Sequence, residues 1–310
     1  MGNNRLLGSY LEKQKIETTK IRRKVKRKSE NLNPVVYLDT NALNFLCDKF
    51  RGKSKRPLKY FDISLSWPLI DEIECNSVYA RTVELAEFVW QVTTRKVFLT
   101  VGGLVGLEAQ SAVANRVIPF SSYYDYGKSH LAALNDARKG RTSNQTREAL
   151  RESIGKQKER ICNWEREQRK EWASQFSKDT LMPKGWSEFR RHLQEQRYFN
   201  QVLYGMLKTY GLSDHFTRES IMNLEHGSLP AVSIGIEFYV ALQYLLDSQP
   251  QNLGKPNRGD LPDMQHAFYA GLCNYFVTDD SRVRHILSSM IKLAPPMVVG
   301  HEAFLAMLPA

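Results

Sequence analysis

Apolar positions along this chain follow two rhythms. Short β-branched and aromatic runs alternate with longer stretches of helical periodicity, which predicts strands separated by helices. Residues 35–38, Val-Val-Tyr-Leu, predict a buried strand, and residues 41–50 a helix with Leu43, Phe45, Leu46 and Phe50 on its apolar side. A basic loop covers 51–57 and a short strand 63–65; Ser66 then caps a helix with Pro68 in its first turn. Residues 78–92 continue as helix and 96–101 predict a third strand. This β-α-β-α-β order implies an α/β fold with a parallel sheet and crossover helices.

The rhythm breaks in the middle. Residues 123–228 are charged and poor in β-branched runs, which predicts a large helical insertion on the α/β core. Within it, 147–172 mixes Glu with Lys and Arg as an exposed, salt-bridged helix does. Trp164, Trp172, Trp186 and Phe189, then Tyr198, Phe199, Leu203, Met206 and Leu207, supply an apolar face. Its aromatics read as core rather than as base-stacking platforms. Residues 231–246 predict a buried helix, too short to span a bilayer and carrying Glu237 and Gln243. A helix at 262–273, a strand at 275–278, a helix at 281–291, a strand at 297–299 and a closing turn at 302–308 restore the alternation. The expected divisions are a polar arm (1–33), a first core part (34–122), the insertion (123–228) and a second core part (229–310).

Charge changes the picture of the partner. The 310 residues carry a formal net charge of +11. The arm concentrates Arg22, Arg23, Lys24, Lys26, Arg27 and Lys28, with too few apolar residues to build a core. Such a block binds polyanions by counterion release, so nucleic acid is the expected partner. The four cysteines form no CxxC pair and no zinc spacing, which fits free thiols in a reducing compartment. With no signal-peptide pattern at the N-terminus, the expected location is cytoplasmic, with no membrane partner.

The candidate chemistry lies where strands end. Asp39 follows the first strand directly, with Thr40 and Asn41 placed to fix its orientation; an unpaired carboxylate there is costly to desolvate unless it faces a cleft or a cation. Asp279 and Asp280 end the strand at 275–278, one free to enter the cleft while the other caps the next helix. Asp260 and Asp263 stand at another helix mouth, and His266, one turn on, reads as a structural histidine. Glu72 is a fourth acid, with Asp71 and Glu74 as plain surface charges. At the C-terminal edge of a parallel sheet, where ligands collect, such acids repel unless a hard cation such as Mg²⁺ or Mn²⁺ joins them.

Taken together, Asp39-Thr40-Asn41 after a buried strand, Glu72 within residues 68–73, Asp263 opening a helix and Val277-Thr278-Asp279-Asp280 resemble the PIN-domain nucleases. The resemblance covers 34 to about 122 and 229 to the C-terminus. It implies a PIN-like parallel sheet flanked by helices and a catalytic set of Asp39, Glu72, Asp263 and Asp280. Thr278 matches the hydroxyl residue before the last acid. It also implies Mg²⁺ or Mn²⁺ as cofactor, single-stranded RNA as substrate and an antitoxin or larger defence assembly as partner; a homo-oligomer is a further partner considered. Such an enzyme would cut phosphodiesters by in-line attack of water, leaving a 5′ phosphate. Which of Asp260 and Asp263, and of Asp279 and Asp280, bind metal stays open. The helical middle exceeds what a minimal PIN toxin needs. The competing readings are a structure-specific DNA nuclease and a non-catalytic nucleic-acid-binding or scaffold protein. A phosphatase using Asp39 as nucleophile ranks last, because no second Asp stands two residues on.

Overall fold

β-branched and aromatic residues make the strands, and polar residues at their ends stop them. β1 (Val35–Leu38), β2 (Asp62–Ser64), β5 (Tyr275–Val277) and β6 (Met297–Val299) form one sheet of order β2-β1-β5-β6. Every pairing in it is parallel, with Tyr37 opposite both Ser64 and Phe276, and Val277 opposite Val299. A second, antiparallel pair joins β3 (Val97–Phe98) to β4 (Tyr124–Asp125). A parallel bridge between Leu65 and Val97 links the two sheets. The structure, a computed structural model, describes residues 33–125, 128–156, 159, 163, 186–247, 260–291 and 297–309. The residues from Val35 onward form one compact unit.

Successive residues of a strand face opposite sides, so each strand feeds two cores. Val36, Leu38, Ile63 and Val277 pack against the helices α1 (Thr40–Lys49), α2 (Trp67–Glu74) and α3 (Tyr79–Val92). Tyr37, Phe98 and Phe276 enter the other core, beginning with α4 (Val101–Val113). α5 (Lys128–Arg138) returns to the first core through Leu134 and Ala137. After the helical residues 144–156 (α6), the chain adds α7 (Trp186–Glu195), α8 (Tyr198–Thr209), α9 (Arg218–Met222) and α10 (Pro230–Asp247). Phe189, Leu203, Leu207 and Phe238 from these helices join the core below Tyr37. α11 (Asp260–Ala270), α12 (Ser281–His285) and α13 (His301–Ala306) complete the chain. Both faces of the parallel sheet are therefore covered, as such sheets require. Among the described residues no helix is long and apolar enough to cross a membrane.

The expected α/β alternation is present, with local differences. The third strand is shorter than residues 96–101, because Thr100 caps a helix there by accepting from the Gly103 amide at 3.1 Å. Gly102, Gly103 and Gly106 weaken the helical signal of α4, which is why its periodicity alone does not announce it. Residues 281–291 begin as α12 and then widen into a π turn over Ile286–Met290. Trp186 and Phe189 are buried core, as expected; Trp164 and Trp172 lie outside the described residues.

The described part of the expected exposed, salt-bridged helix is mostly exposed, with Arg147 the exception. Arg147 is 5% exposed and stacks on Tyr79, its guanidinium 4.9 Å from the ring centroid. It donates to the carbonyls of Glu74 and Asn76, while Arg151 donates to those of Cys75 and Asn76. These carbonyls lie at the C-terminal end of α2, where partial negative charge accumulates and cations bind well. Of the expected surface pairs, Glu152 and Lys156 do meet, at 2.6 Å.

A buried carboxylate holds the other long helix. Glu108 on α4 is fully buried; it accepts from the Ala231 and Val232 amides at 2.9 Å each and from the Tyr123 hydroxyl at 3.1 Å. It thus supplies acceptors to the N-terminal amides of α10 that no intrahelical carbonyl can reach. Burial pushes its pKa up to about 7, against those three donors. In its protonated form the Tyr123 hydroxyl can turn to accept. The native state then holds a proton between the ordinary value of 4.5 and about 7 that the unfolded chain has released. This contribution to stability is full below the ordinary value and is lost as pH rises through about 7. We expect Tm to fall across that interval and the fall to flatten in Glu108→Gln; equal slopes in both proteins would refute the assignment.

Candidate active site

Parallel pairing brings the C-terminal ends of β1 and β5 side by side. The Asp39 amide donates to the Val277 carbonyl at 3.1 Å, so the residues that follow these strands emerge together. Asp39 is 8% exposed and caps α1, its Oδ1 accepting from the Ala42 amide at 2.7 Å. The Thr278 hydroxyl, fully buried, accepts the Asp280 amide at 3.1 Å and lies close enough to the Asp39 carboxylate to lower its pKa. One threonine thereby ties both acids to a single sheet edge. Burial raises the pKa of Asp39, and the bonds from Thr278 and Ala42 oppose the rise.

The paired acids 279 and 280 separate cleanly. Asp280 caps α12, accepting from the Arg282 and Val283 amides at 2.8 and 3.0 Å, both on Oδ1. Its charge is felt by Asp263. Asp279 is exposed and faces away, 4.0 Å from Arg284 and 3.1 Å from His301 Nδ1. The latter contact is not an aligned hydrogen bond. His301 also stacks on Phe45, with ring centroids 3.6 Å apart.

Two helices deliver the other acids. Glu72 sits on α2, which Ser66 starts by accepting from the Leu69 amide at 3.3 Å. Thr40 donates to Glu72 Oε2, and His266 Nε2 lies 3.1 Å from the same oxygen. Asn41, expected to assist, is exposed on α1; Thr40 makes the contact to the site. α11 carries Asp263 and His266 and lies tightly against α10, where a Cβ at Gly235 would fall on the Phe268 ring. Asp263 Oδ2 accepts from Arg282 Nη2 at 2.7 Å. Burial raises the pKa of Asp263 to about 6, with Asp280 adding to the rise and Arg282 opposing it. Asp260 is the first residue of α11, but its side chain lies outside the described residues, as does the whole basic stretch from Arg22 to Lys28.

Behind the acids runs a buried polar chain. His266, 4% exposed, bonds through Nδ1 to the Tyr37 hydroxyl at 2.5 Å, and Tyr37 in turn meets Ser66 Oγ at 2.6 Å. Tyr37 is clamped between Tyr269 and Phe276, stacked at 5.2 and 5.5 Å. Burial disfavours charge on His266, but Glu72, Asp39 and Asp263 outweigh it and raise its pKa. A protonated ring donates at both nitrogens, which suits Glu72 on one side and the Tyr37 oxygen on the other. His266 is thus a satisfied structural histidine, as expected, and also part of the acidic site. Asp71 and Glu74 are not plain surface charges: Glu74 is 7% exposed, and burial lifts Asp71 to a pKa of about 6.

No family model, no curated protein and no solved structure matches this chain.

Its chemistry therefore rests on the site alone. Asp39, Glu72, Asp263 and Asp280 belong to one electrostatic group: Asp39 feels Glu72, His266 feels Glu72, Asp39 and Asp263, and Asp263 feels Asp280. The donors are hard oxygens with costly buried charge, which suits a divalent cation. Their present arrangement is closed up, since Arg282 holds Asp263 while His266 and Thr40 hold Glu72. Among the described residues no three His, Cys, Asp or Glu side chains surround a common ion position. Tyr37 and Arg282 are participants that strand and helix patterning does not single out, whereas Ser66 is expected only as a helix cap.

Proposed function

We propose that this chain is a PIN-like, metal-dependent nuclease acting on single-stranded RNA. The observation that carries the proposal is the pairwise electrostatic coupling that links Asp39, Glu72, Asp263 and Asp280 through His266 beside the C-terminal ends of β1 and β5. Their order along the chain is the one on which the PIN-domain resemblance rests. Asp39, Glu72, Asp263 and Asp280 would hold Mg²⁺ or Mn²⁺. The ion would supply Lewis acidity at a phosphodiester and lower the pKa of an attacking water. Thr278 and the Ala42 amide orient the Asp39 carboxylate, and Thr40 and His266 orient Glu72. The net charge of +11 supports a polyanionic substrate.

One observation favours a second reading, a nucleic-acid-binding module without turnover. Arg282 and His266 already neutralise two of the acids from within the chain. The two readings part in one assay. Purified protein is incubated with labelled single-stranded RNA and DNA in Mn²⁺, Mg²⁺ or EDTA, at several salt concentrations. Cutting of RNA with either metal, abolished by EDTA, is the expected result. Salt-sensitive binding with no cutting under any condition would replace the nuclease with the binding module.

A further inference from the structure

Arg282 stands directly between two acids of the site, as the second residue of the short helix α12. Its backbone amide serves Asp280 Oδ1 at 2.8 Å, while its guanidinium serves Asp263 Oδ2 at 2.7 Å. One residue therefore touches two acids, by main chain and by side chain. Both side chains of the ion pair are shielded, at 26% exposure for Arg282 and 23% for Asp263. The Arg282 guanidinium pairs with the Asp263 carboxylate at 2.7 Å in a partly buried ion pair. The same carboxylate is needed by a divalent ion in the reading proposed above.

We propose that Arg282 is a built-in counter-cation of this site, competing with the divalent ion for Asp263 and holding the acids closed until a metal displaces it. The inference rests on the metal-site reading and adds its regulation. A guanidinium binds one carboxylate through directed N–H bonds, whereas a divalent ion gathers several carboxylates at once. Exchange between them requires only that the Arg282 side chain rotate away, since its backbone bond to Asp280 stays. Metal affinity is accordingly lower than the donor set alone would give.

The test is Mn²⁺ titration by calorimetry on the full chain, comparing wild type with Arg282→Gln and Arg282→Lys. Removing a shielded, charge-assisted competitor should tighten Mn²⁺ binding by about tenfold in Arg282→Gln. Arg282→Lys keeps the charge and should stay nearer wild type, which separates competition from general loosening of the site. Mn²⁺ bound by Arg282→Gln alone would support the proposal in its strongest form. Equal or weaker binding by Arg282→Gln, with wild type binding normally, would overturn the proposal and leave the metal site standing. No binding by any of the three proteins would overturn the metal-site reading and the competition with it.

Discussion

Asp39→Asn should remove metal-dependent cleavage while leaving the fold intact. Asp39 is the acid fixed most firmly to the sheet edge, by the Ala42 amide on one side and Thr278 on the other. Asparagine keeps a side-chain oxygen for the Ala42 amide and is as good a helix cap as aspartate. What it loses is the charge. If the carboxylate holds a Lewis-acidic ion, its neutralisation costs several kcal/mol of transition-state stabilisation, and about 4 kcal/mol is a thousandfold in rate. Stability should hold or rise, because the variant no longer buries a carboxylate whose pKa burial has raised. Asp279→Asn serves as the contrast: its exposed side chain faces Arg284 and His301, so cleavage should change little. Initial rates and thermal melts on the three proteins check both halves. Wild-type cleavage by Asp39→Asn would end the assignment.

Glu108→Ala should be the most damaging single change to the fold. The truncation leaves the Ala231 and Val232 amides and the Tyr123 hydroxyl without their shared acceptor. Each buried donor left unpaired costs about 1–3 kcal/mol, so the loss is roughly 4 kcal/mol or more before any cavity is counted. For a chain of this size that lowers Tm by about 10 °C. Glu108→Gln keeps one acceptor oxygen and the volume, and should fall between wild type and Glu108→Ala. The effect reaches beyond the cap, because α10 packs against α11 at Gly235 and Phe268, and α11 carries Asp263 and His266. A Glu108→Ala protein that melts within a degree or two of wild type would show that α10 needs no such anchor.

Local signals in the chain announce the strand ends well. Val-Val-Tyr-Leu before Asp39, and Tyr-Phe-Val-Thr before Asp279 and Asp280, say where a parallel sheet delivers carboxylates. Which residue partners each acid is less legible, because those contacts are remote: His266 and Glu72 lie 194 residues apart in sequence. Helical periodicity places Arg147 on a charged helix but cannot see the α2 carbonyls it seeks, so a buried arginine reads as a surface one. Asp71 and Glu74 mislead for the same reason, since a charged residue on a short helix carries no mark of what covers it. Arg282 carries no such mark, because its partner Asp263 lies on another helix 19 residues away in sequence. Tyr37 does carry a mark: a tyrosine inside a buried strand must find a partner for its hydroxyl.

The pairing of β1 with β5 also sets when this site can exist. The Val35 amide is capped by the Asn274 side chain, 239 residues further on, and β1 lies between β2 and β5. At roughly 5–20 residues per second, a ribosome needs about 10–50 s to deliver that partner. Until then one edge of β1 is unpaired, and Asp39 lacks Thr278. Contacts this distant also make the closing of the sheet a slow folding step. The acids of the site therefore come together only once the chain has been made as far as Asp280.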